Sequence, residues 1–473
     1  MRPFELASLL CLVASVAALT IRAISPRVRR ALVGVTIGVM CLQAWIEGAR
    51  WQLVPAQVLA VVSLVFMLLP WSRTLRSGGR ILRAMGVTAA VLAVAVAVLL
   101  PVVLPVPSFP TPEGPHPVGT VTFQLEDPTR EDSRTLGRPR RLMAQAWYPA
   151  DTNTAQVPRA PYLPEVASAG PALAHKLGLP PFFLNHLAYA VSHSHENVPF
   201  AASLGRVPLI LFSPGMGSVR AQNTSTFETL ASQGYMVVSI DHTDDAAVVV
   251  FPDGEVVLRN LDGPDEEMEE EATRRKAAAV LIRAADVRRA VEVLTGSMGA
   301  RLPEQLVGHV DAARLGVFGQ SLGGSTAVEV CRTDARFRAC VSLDGYLYGE
   351  AVATGITQPF LLIRREPETQ AVAEDVRERQ RQAFLERLGG PSCRLRVAGA
   401  RHIDFTDLPL FSPVLPYLLP NAVSWTGEGT LRGMNQAVTA FFDATLRGDP
   451  AGWARMSAAR PRFSSACDHL PVP

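Results

Sequence analysis

Charge is scarce in this sequence, and its longest gaps all fall near the start. Only 19% of the 473 residues are Asp, Glu, Lys or Arg, against 48% hydrophobic residues and a mean hydropathy of +0.19. That is too apolar, and the chain too long, for one ordinary soluble domain. The net charge of +2 lacks the basic surplus that a nucleic-acid partner needs. No charged residue lies between Glu5 and Arg22, between Arg30 and Glu47, between Arg50 and Arg73, or between Arg83 and Glu113. These gaps predict about four membrane-spanning helices over residues 1–106. A signal peptide is the alternative for the first gap; against it stand a lone Arg2 offset by Glu5 and the apolar segments that follow. Trp45, Trp51 and Trp71 fall at span ends, where interfacial aromatics belong.

The loops differ in what they lack. Arg22, Arg27, Arg29 and Arg30 join the first two spans, and Arg73, Arg76, Arg80 and Arg83 join the last two; nothing basic follows the fourth span before Arg130. The positive-inside rule then puts both arginine-rich loops in the cytoplasm and everything after about Pro107 outside it. Cysteine is sparse too. Cys11 and Cys41 lie inside spans, while Cys331, Cys340, Cys393 and Cys467 form an even set that could make two bridges or stay free and buried.

After a stiff connector, in which seven of the seventeen residues from Pro101 to Pro117 are proline, residues 107–473 read as one large domain. "VGTVTFQLED" and "RLMAQAWYPA" alternate as antiparallel strands, and residues 151–206 have no strong period, which suits a lid-like insertion. Then strands and helices alternate. "VPLILFS", "YMVVSID", "LGVF", "ACVSLD", "PFLLIR" and "CRLRVAG" are buried strands; helices are expected at Asn223–Ser232, through Val280–Leu294, and at Ser325–Arg332, Ala373–Leu388 and Leu431–Leu446. A hairpin turns at Asp253-Gly254, and the acidic-then-basic stretch from Asp265 to Lys276 is a solvated helix face. The pattern implies a mostly parallel sheet with helices on both faces, with functional residues at the carboxyl ends of its strands.

One turn carries chemistry. Gly319-Gln320-Ser321-Leu322-Gly323 stands between a strand and a helix, the setting of a nucleophile elbow, in which glycines let the backbone pass closely and lift the serine hydroxyl above the sheet. Such a serine needs a base, and the base needs a carboxylate. His402 follows the last predicted strand in "AGARHIDFTD" and is the expected base. Asp344, ending "ACVSLD", is the expected acid, with Glu366 one strand later and Asp404 beside His402 as alternatives. Backbone N–H groups of Leu322 and Met216 are the expected oxyanion donors; Met216 lies in the small-residue loop Pro214-Gly215-Met216-Gly217. His193 and His195 form a His-x-His pair, too weak a signal for a metal site.

Together "WYPA", "LILFSPGMGS", "LASQGYMVVSIDH", "GQSLGGSTA", "RFRACVSLDG" and "RHIDFTD" resemble the secreted and type II intracellular platelet-activating-factor acetylhydrolases and their bacterial esterase relatives, over roughly Val118 to Gly448. The resemblance implies an α/β-hydrolase fold, hydrolysis of short or oxidised acyl esters, no metal or other cofactor, and Ser321, Asp344 and His402 as the triad. Two departures stand out: many relatives have His where this chain has Pro214, and the well-known soluble members lack a four-span anchor. The expectation is therefore a multi-pass membrane serine esterase, its domain outside the cytoplasm, acting on a small ester or lipid. An acyltransferase on the same triad, or a catalytically silent binding module, are the alternatives. The apolar run Leu408–Pro420 is expected to line the acyl pocket, dip toward the membrane, or pack in the core.

Overall fold

The computed structural model describes residues 1–21, 23–68, 80–134, 136–176, 178–259, 269–296, 302–366, 376–458 and 460–470. Arg22, Trp71, Arg73 and Arg76, the start of the acidic stretch at Asp265 and the first residues of the helix expected from Ala373 lie outside them.

The charge-free gaps become helices α1 (Pro3–Thr20), α2 (Pro26–Glu47), α3 (Val54–Leu68) and α4 (Arg80–Val103). All four are long and apolar enough to cross a bilayer, the third including the turn Trp51–Leu53. Leu9, Leu12 and Val16 of α1 pack on Met40 of α2, Ala56 and Ala60 of α3 and Ala97 of α4. Small side chains let the backbones approach, as membrane packing favours. The outward faces stay apolar, with Leu10, Val35, Val61 and Leu92 exposed.

At one end of the bundle the spans meet the rest of the protein. The last carbonyls of a helix have no donor of their own. Here Arg50 supplies donors to Leu104 O at 2.5 Å and Pro101 O at 3.3 Å, while Glu5 accepts from it at 2.7 and 3.0 Å. The buried cation is thus paired, as burial demands. Trp51 donates to Phe183 O at 3.0 Å and packs against Phe182 and Phe183. Tyr189 donates to Ala49 O at 2.6 Å, and Ser412 to Val103 O. Trp51 therefore faces protein, whereas Trp45 is 83% exposed, as an interfacial aromatic would be.

Residues 107–470 fold as an α/β-hydrolase. The strands are β1 (Val118–Glu131), β2 (Pro139–Pro149), β3 (Arg159–Pro161), β4 (Val191–Glu196), β5 (Val207–Ser213), β6 (Met236–Asp241), the hairpin β7 (Val248–Val250) and β8 (Val256–Leu258), β9 (Val310–Gln320), β10 (Phe337–Leu343), β11 (Phe360–Arg365), β12 (Ser392–Val397) and β13 (Phe463–Asp468). Among the described residues eleven of them form one sheet in the order β13-β12-β11-β10-β9-β5-β6-β2-β1-β4-β3. The central run from β6 to β12 is parallel, and β2 and β13 flank it antiparallel. A strand covered on both faces needs no polar side, and all seven residues of β5 are buried.

The helices are α5 (Val166–Lys176), α6 (Thr224–Ser232), α7 (Glu269–Leu294), α8 (Leu322–Thr333), α9 (Val376–Leu385), α10 (Gly427–Leu446) and α11 (Ala451–Ser457). Val287 and Val291 of α7, Val328 of α8 and Phe384 of α9 cover one face of the sheet. Phe227 of α6 and Met434, Val438, Phe441 and Phe442 of α10 cover the other.

Three features differ from the sequence reading. Helix α8 starts at Leu322, directly after the serine, and not at Ser325. Residues 151–206 hold two sheet strands, β3 and β4, as well as the covering helix α5. The chain also adds β13, whose exposed, polar residues gave no apolar pattern. Its place is pinned by the Cys393–Cys467 bridge across the β12–β13 pair; Cys331–Cys340 joins α8 to β10.

Candidate active site

Ser321 alone makes the turn between β9 and α8, with φ 55° and ψ −120°. A non-glycine residue held there costs on the order of 1–3 kcal/mol, so its surroundings must enforce the turn. Two glycines do so by what they omit. A Cβ on Gly323 would lie 1.8 Å from Ser213 O, and one on Gly319 2.2 Å from the backbone of Gly323. The crossing of β5, β9 and α8 is therefore closed to any side chain at these two positions.

The loop after β12 brings His402 over this turn. His402 Nε2 lies 2.9 Å from Ser321 Oγ and Nδ1 lies 2.6 Å from Asp344 Oδ2. A carboxylate only accepts, so Nδ1 carries the proton and Nε2 is left to accept from the hydroxyl. Asp344 takes positive φ (47°) just past β10; its N–H donates to Ile363 O at 2.7 Å, and its Oδ1 accepts from Arg365 N–H at 3.2 Å. The other two carboxylates lie elsewhere. Glu366 is exposed, its N–H donating to Val397 O. Asp404 accepts from the N–H groups of Arg401 and Ser424 at 2.7 and 3.0 Å, bracing its own loop, and burial pushes its carboxyl up.

The loop after β5 is tied at several points. Gly215 N–H donates to Gln222 Oε1 at 2.7 Å, Gln222 Nε2 to Gln320 Oε1 at 2.9 Å, and Gln320 Nε2 to His402 O at 3.2 Å. Two glutamines thus link this loop, the elbow and the histidine loop. Gly217 N–H donates to Asp245 O at 3.1 Å, and Arg283 donates to Pro214 O. Between these ties Met216 faces a cleft of ≈ 170 Å³ lined also by Ser321, Leu322, Lys276, Tyr346 and Tyr348. A larger groove of ≈ 620 Å³, which Trp425, Arg432, Arg460 and Arg462 help line, contains none of the expected site residues. The smaller cleft is the relevant one because it opens on the serine. The apolar run Leu408–Pro420 does not line it: Phe411 packs on Phe109 and Tyr162, and Tyr417, Leu418 and Leu419 are exposed.

The structure holds groups that sequence spacing did not reveal. Ser213, His242 and Asp286 form a second Ser–His–Asp chain, with His242 Nε2 2.9 Å from Ser213 Oγ and Nδ1 2.9 Å from Asp286 Oδ2. All three are buried. Beneath the histidine loop, Asp407 accepts from the N–H and hydroxyl of Ser225, and Glu228 from His193 N–H and Ser194 Oγ. Burial pushes both carboxyls up to about 7. The rings of His193 and His195 meet backbone carbonyls, those of Phe109 and Val157. A position after "VVSID" at a strand's carboxyl end was the one signal for His242.

Residues 104–449 match the family described as platelet-activating factor acetylhydrolase, isoform II. A "Probable 1-alkyl-2-acetylglycerophosphocholine esterase" of Arthroderma benhamiae is 29% identical over 269 residues, 53% of this chain and 64% of that one. The platelet-activating factor acetylhydrolase of Bos taurus is 31% identical over 182 residues, 34% of this chain and 40% of its own length. The chain thus spans less than two thirds of these relatives. A solved ferulic acid esterase from Streptomyces cinnamoneus is 29% identical with a TM-score of 0.62, covering 75% of this chain and 98% of that one.

Proposed function

The chain belongs to the platelet-activating factor acetylhydrolase isoform II family, and on that premise we propose that it is a membrane-anchored serine esterase cleaving short acyl esters, carboxylic or phospholipid-type. Residues 1–106 are the anchor and 107–473 the hydrolase domain, with residues 151–206 an insertion within it. The observation that carries the reading is the hydrogen-bonded chain Ser321–His402–Asp344 at the mouth of a cleft.

In this reading His402 Nε2 takes the Ser321 proton as Oγ attacks the ester carbonyl carbon. The N–H groups of Leu322 and Met216 receive the negative charge that develops on the carbonyl oxygen. Leu322 opens α8, where N–H groups lack helical acceptors, and Gly215 and Gly217 on either side of Met216 have theirs engaged. His402 then gives its proton to the departing alcohol oxygen, leaving an acyl group on Ser321. Water, deprotonated by His402, attacks that acyl group and releases the acid. Asp344 fixes the imidazole tautomer and stabilises its charged form. The steps use no cofactor.

The small cleft supports short acyl groups, being below the ~300–1,000 Å³ of ordinary ligand pockets. With p-nitrophenyl esters we expect a maximum at about two to six carbons, after which a further methylene finds no apolar surface worth about 0.8 kcal/mol. A maximum at twelve or more would overturn the short-acyl reading. The arginine-rich loops and two disulfides support a domain outside the cytoplasm. A reporter active only in the cytoplasm, fused after Pro107, would then stay silent; an active one would reverse the orientation.

A further inference from the structure

The cleft over Ser321 has a charge as well as a size. Among its described lining residues Lys276 is a cation, Tyr346 and Tyr348 are phenols, and none is a carboxylate. Lysine is rare in this chain: with Lys176, Lys276 accounts for all of it, the rest of the 45 basic residues being arginine. The choice matters physically. A lysine ends in a compact ammonium on a flexible stem, a point charge that can meet an anion from several directions, where a guanidinium demands a planar, two-pronged partner.

The wall that carries the phenols is positive too. Arg365 donates to the Tyr346 hydroxyl at 3.1 Å, the Arg381 guanidinium lies 5.0 Å from the centre of the Tyr346 ring, and the Lys276 ammonium lies 6.0 Å from the Tyr348 ring. Around this wall Arg364, Arg365 and Arg381 face the carboxylates of Glu378 and Asp344. With Lys276 the described groups count four cations against two anions. A phenol oxygen that accepts from a guanidinium directs its own O–H away from it and is a stronger donor for the arrangement. The cleft is small enough that an ester lying on Ser321 has its near substituents opposite Lys276.

Resting on the esterase reading above, we propose that Lys276, with Tyr346 and Tyr348, makes this site selective for esters bearing an anionic group, a carboxylate or a phosphate, close to the scissile bond. Lys276 acts on the substrate's charge and takes no part in proton transfer.

Two matched substrate pairs test this and separate the two sources of charge. One pair is 4-nitrophenyl hydrogen glutarate against 4-nitrophenyl valerate; the other is a 1-alkyl-2-acetylglycerol 3-phosphate against the uncharged 1-alkyl-2-acetylglycerol. The full-length protein should favour the anionic member of at least one pair in kcat/KM. Lys276→Gln should lower that member's kcat/KM about tenfold, between the small worth of an exposed ion pair and the larger loss of a buried one. The neutral member should stay within about twofold, since only the charge contact has gone. Lys276→Arg should restore part of the preference and Lys276→Glu reverse it, and the preference should shrink with added salt. An anionic-to-neutral ratio that Lys276→Gln leaves unchanged in both pairs, while neutral esters are still cleaved, overturns this proposal alone. Failure of the wild-type protein to cleave any of the four overturns the esterase reading, and this proposal with it.

Discussion

The domain contains two Ser–His–Asp chains built to nearly the same dimensions, one at the cleft and one in the core. In both, the serine oxygen lies 2.9 Å from the histidine Nε2; the histidine Nδ1 lies 2.6 Å from Asp344 in one and 2.9 Å from Asp286 in the other. Distance therefore does not distinguish them. Surroundings do. Ser321 sits on a strained turn and lines a cleft, and the His402 side chain is 26% exposed. Ser213 ends a straight strand, and Ser213, His242 and Asp286 are at most 1% exposed.

Their charges are set differently as well. Burial pushes the Asp286 carboxyl up, but the two hydrogen bonds and the charge of Arg140 outweigh it and hold the group well below the usual carboxylate range. Burial, with Arg283 adding to it, pushes the His242 imidazole down to about 4. A histidine so reluctant to take a proton is a poor base. Its hydrogen bond to Ser213 instead holds the end of β5, one residue before the Pro214–Gly217 loop. The same three residue types serve as a reacting group in one place and as a brace in the other.

Substitution at the two acids should separate these roles most widely. Asp344→Asn should cut kcat by about 10²–10⁴ through loss of the imidazole tautomer while leaving the protein folded. Glu366→Gln, one strand away, should change it by no more than about twofold, being exposed and away from His402. Steady-state kinetics on a short ester decide this; a larger loss at Glu366 would move the acid. Asp286→Asn should act on folding, costing about 3–5 kcal/mol because Arg140 keeps a buried charge without its partner. Denaturant unfolding reads that loss, and a folded, fully stable Asp286→Asn that has lost activity would erase the contrast between the chains.

A smaller effect lies beneath the histidine loop. The Asp407 carboxyl is raised to about 7 in the fold, from an ordinary value near 4 when unfolded. Between those values the folded chain holds a proton that the unfolded chain has lost. Stability from Asp407 is thus present in full below about pH 4 and is lost as pH rises toward 7, by about 1.4 kcal/mol per unit. His242 works the other way, losing stability as pH falls from its ordinary value of about 6.5 to about 4. The two offset each other in the wild-type chain. Asp407→Asn should therefore weaken more steeply than wild type between pH 7 and pH 4. Melting temperatures across that range check it; parallel curves would show that Asp407 is ionised in the fold.

How much of this could be read beforehand follows from where each group gets its partner. The spans were legible because a bilayer forbids charge over some twenty residues, and Ser321, Asp344 and His402 because each ends or follows a buried strand. The brace was not. His242 meets Asp286, 44 residues away on α7, and Arg140, which lies on β2; no local period records such a meeting. β13 was hidden because its exposed residues show no apolar alternation, and its cysteine alone gave no pairing. The burial of Glu228 and Asp407 depends on α6 packing beneath the histidine loop, a contact that spacing does not encode.

The central claim, that only one of the two serines is a nucleophile, meets its most direct test in labelling by a fluorophosphonate probe. The account predicts that wild-type protein and folded Ser213→Ala are both labelled and that Ser321→Ala is not. Labelling that survives in Ser321→Ala, or that is lost in a folded Ser213→Ala, would contradict it.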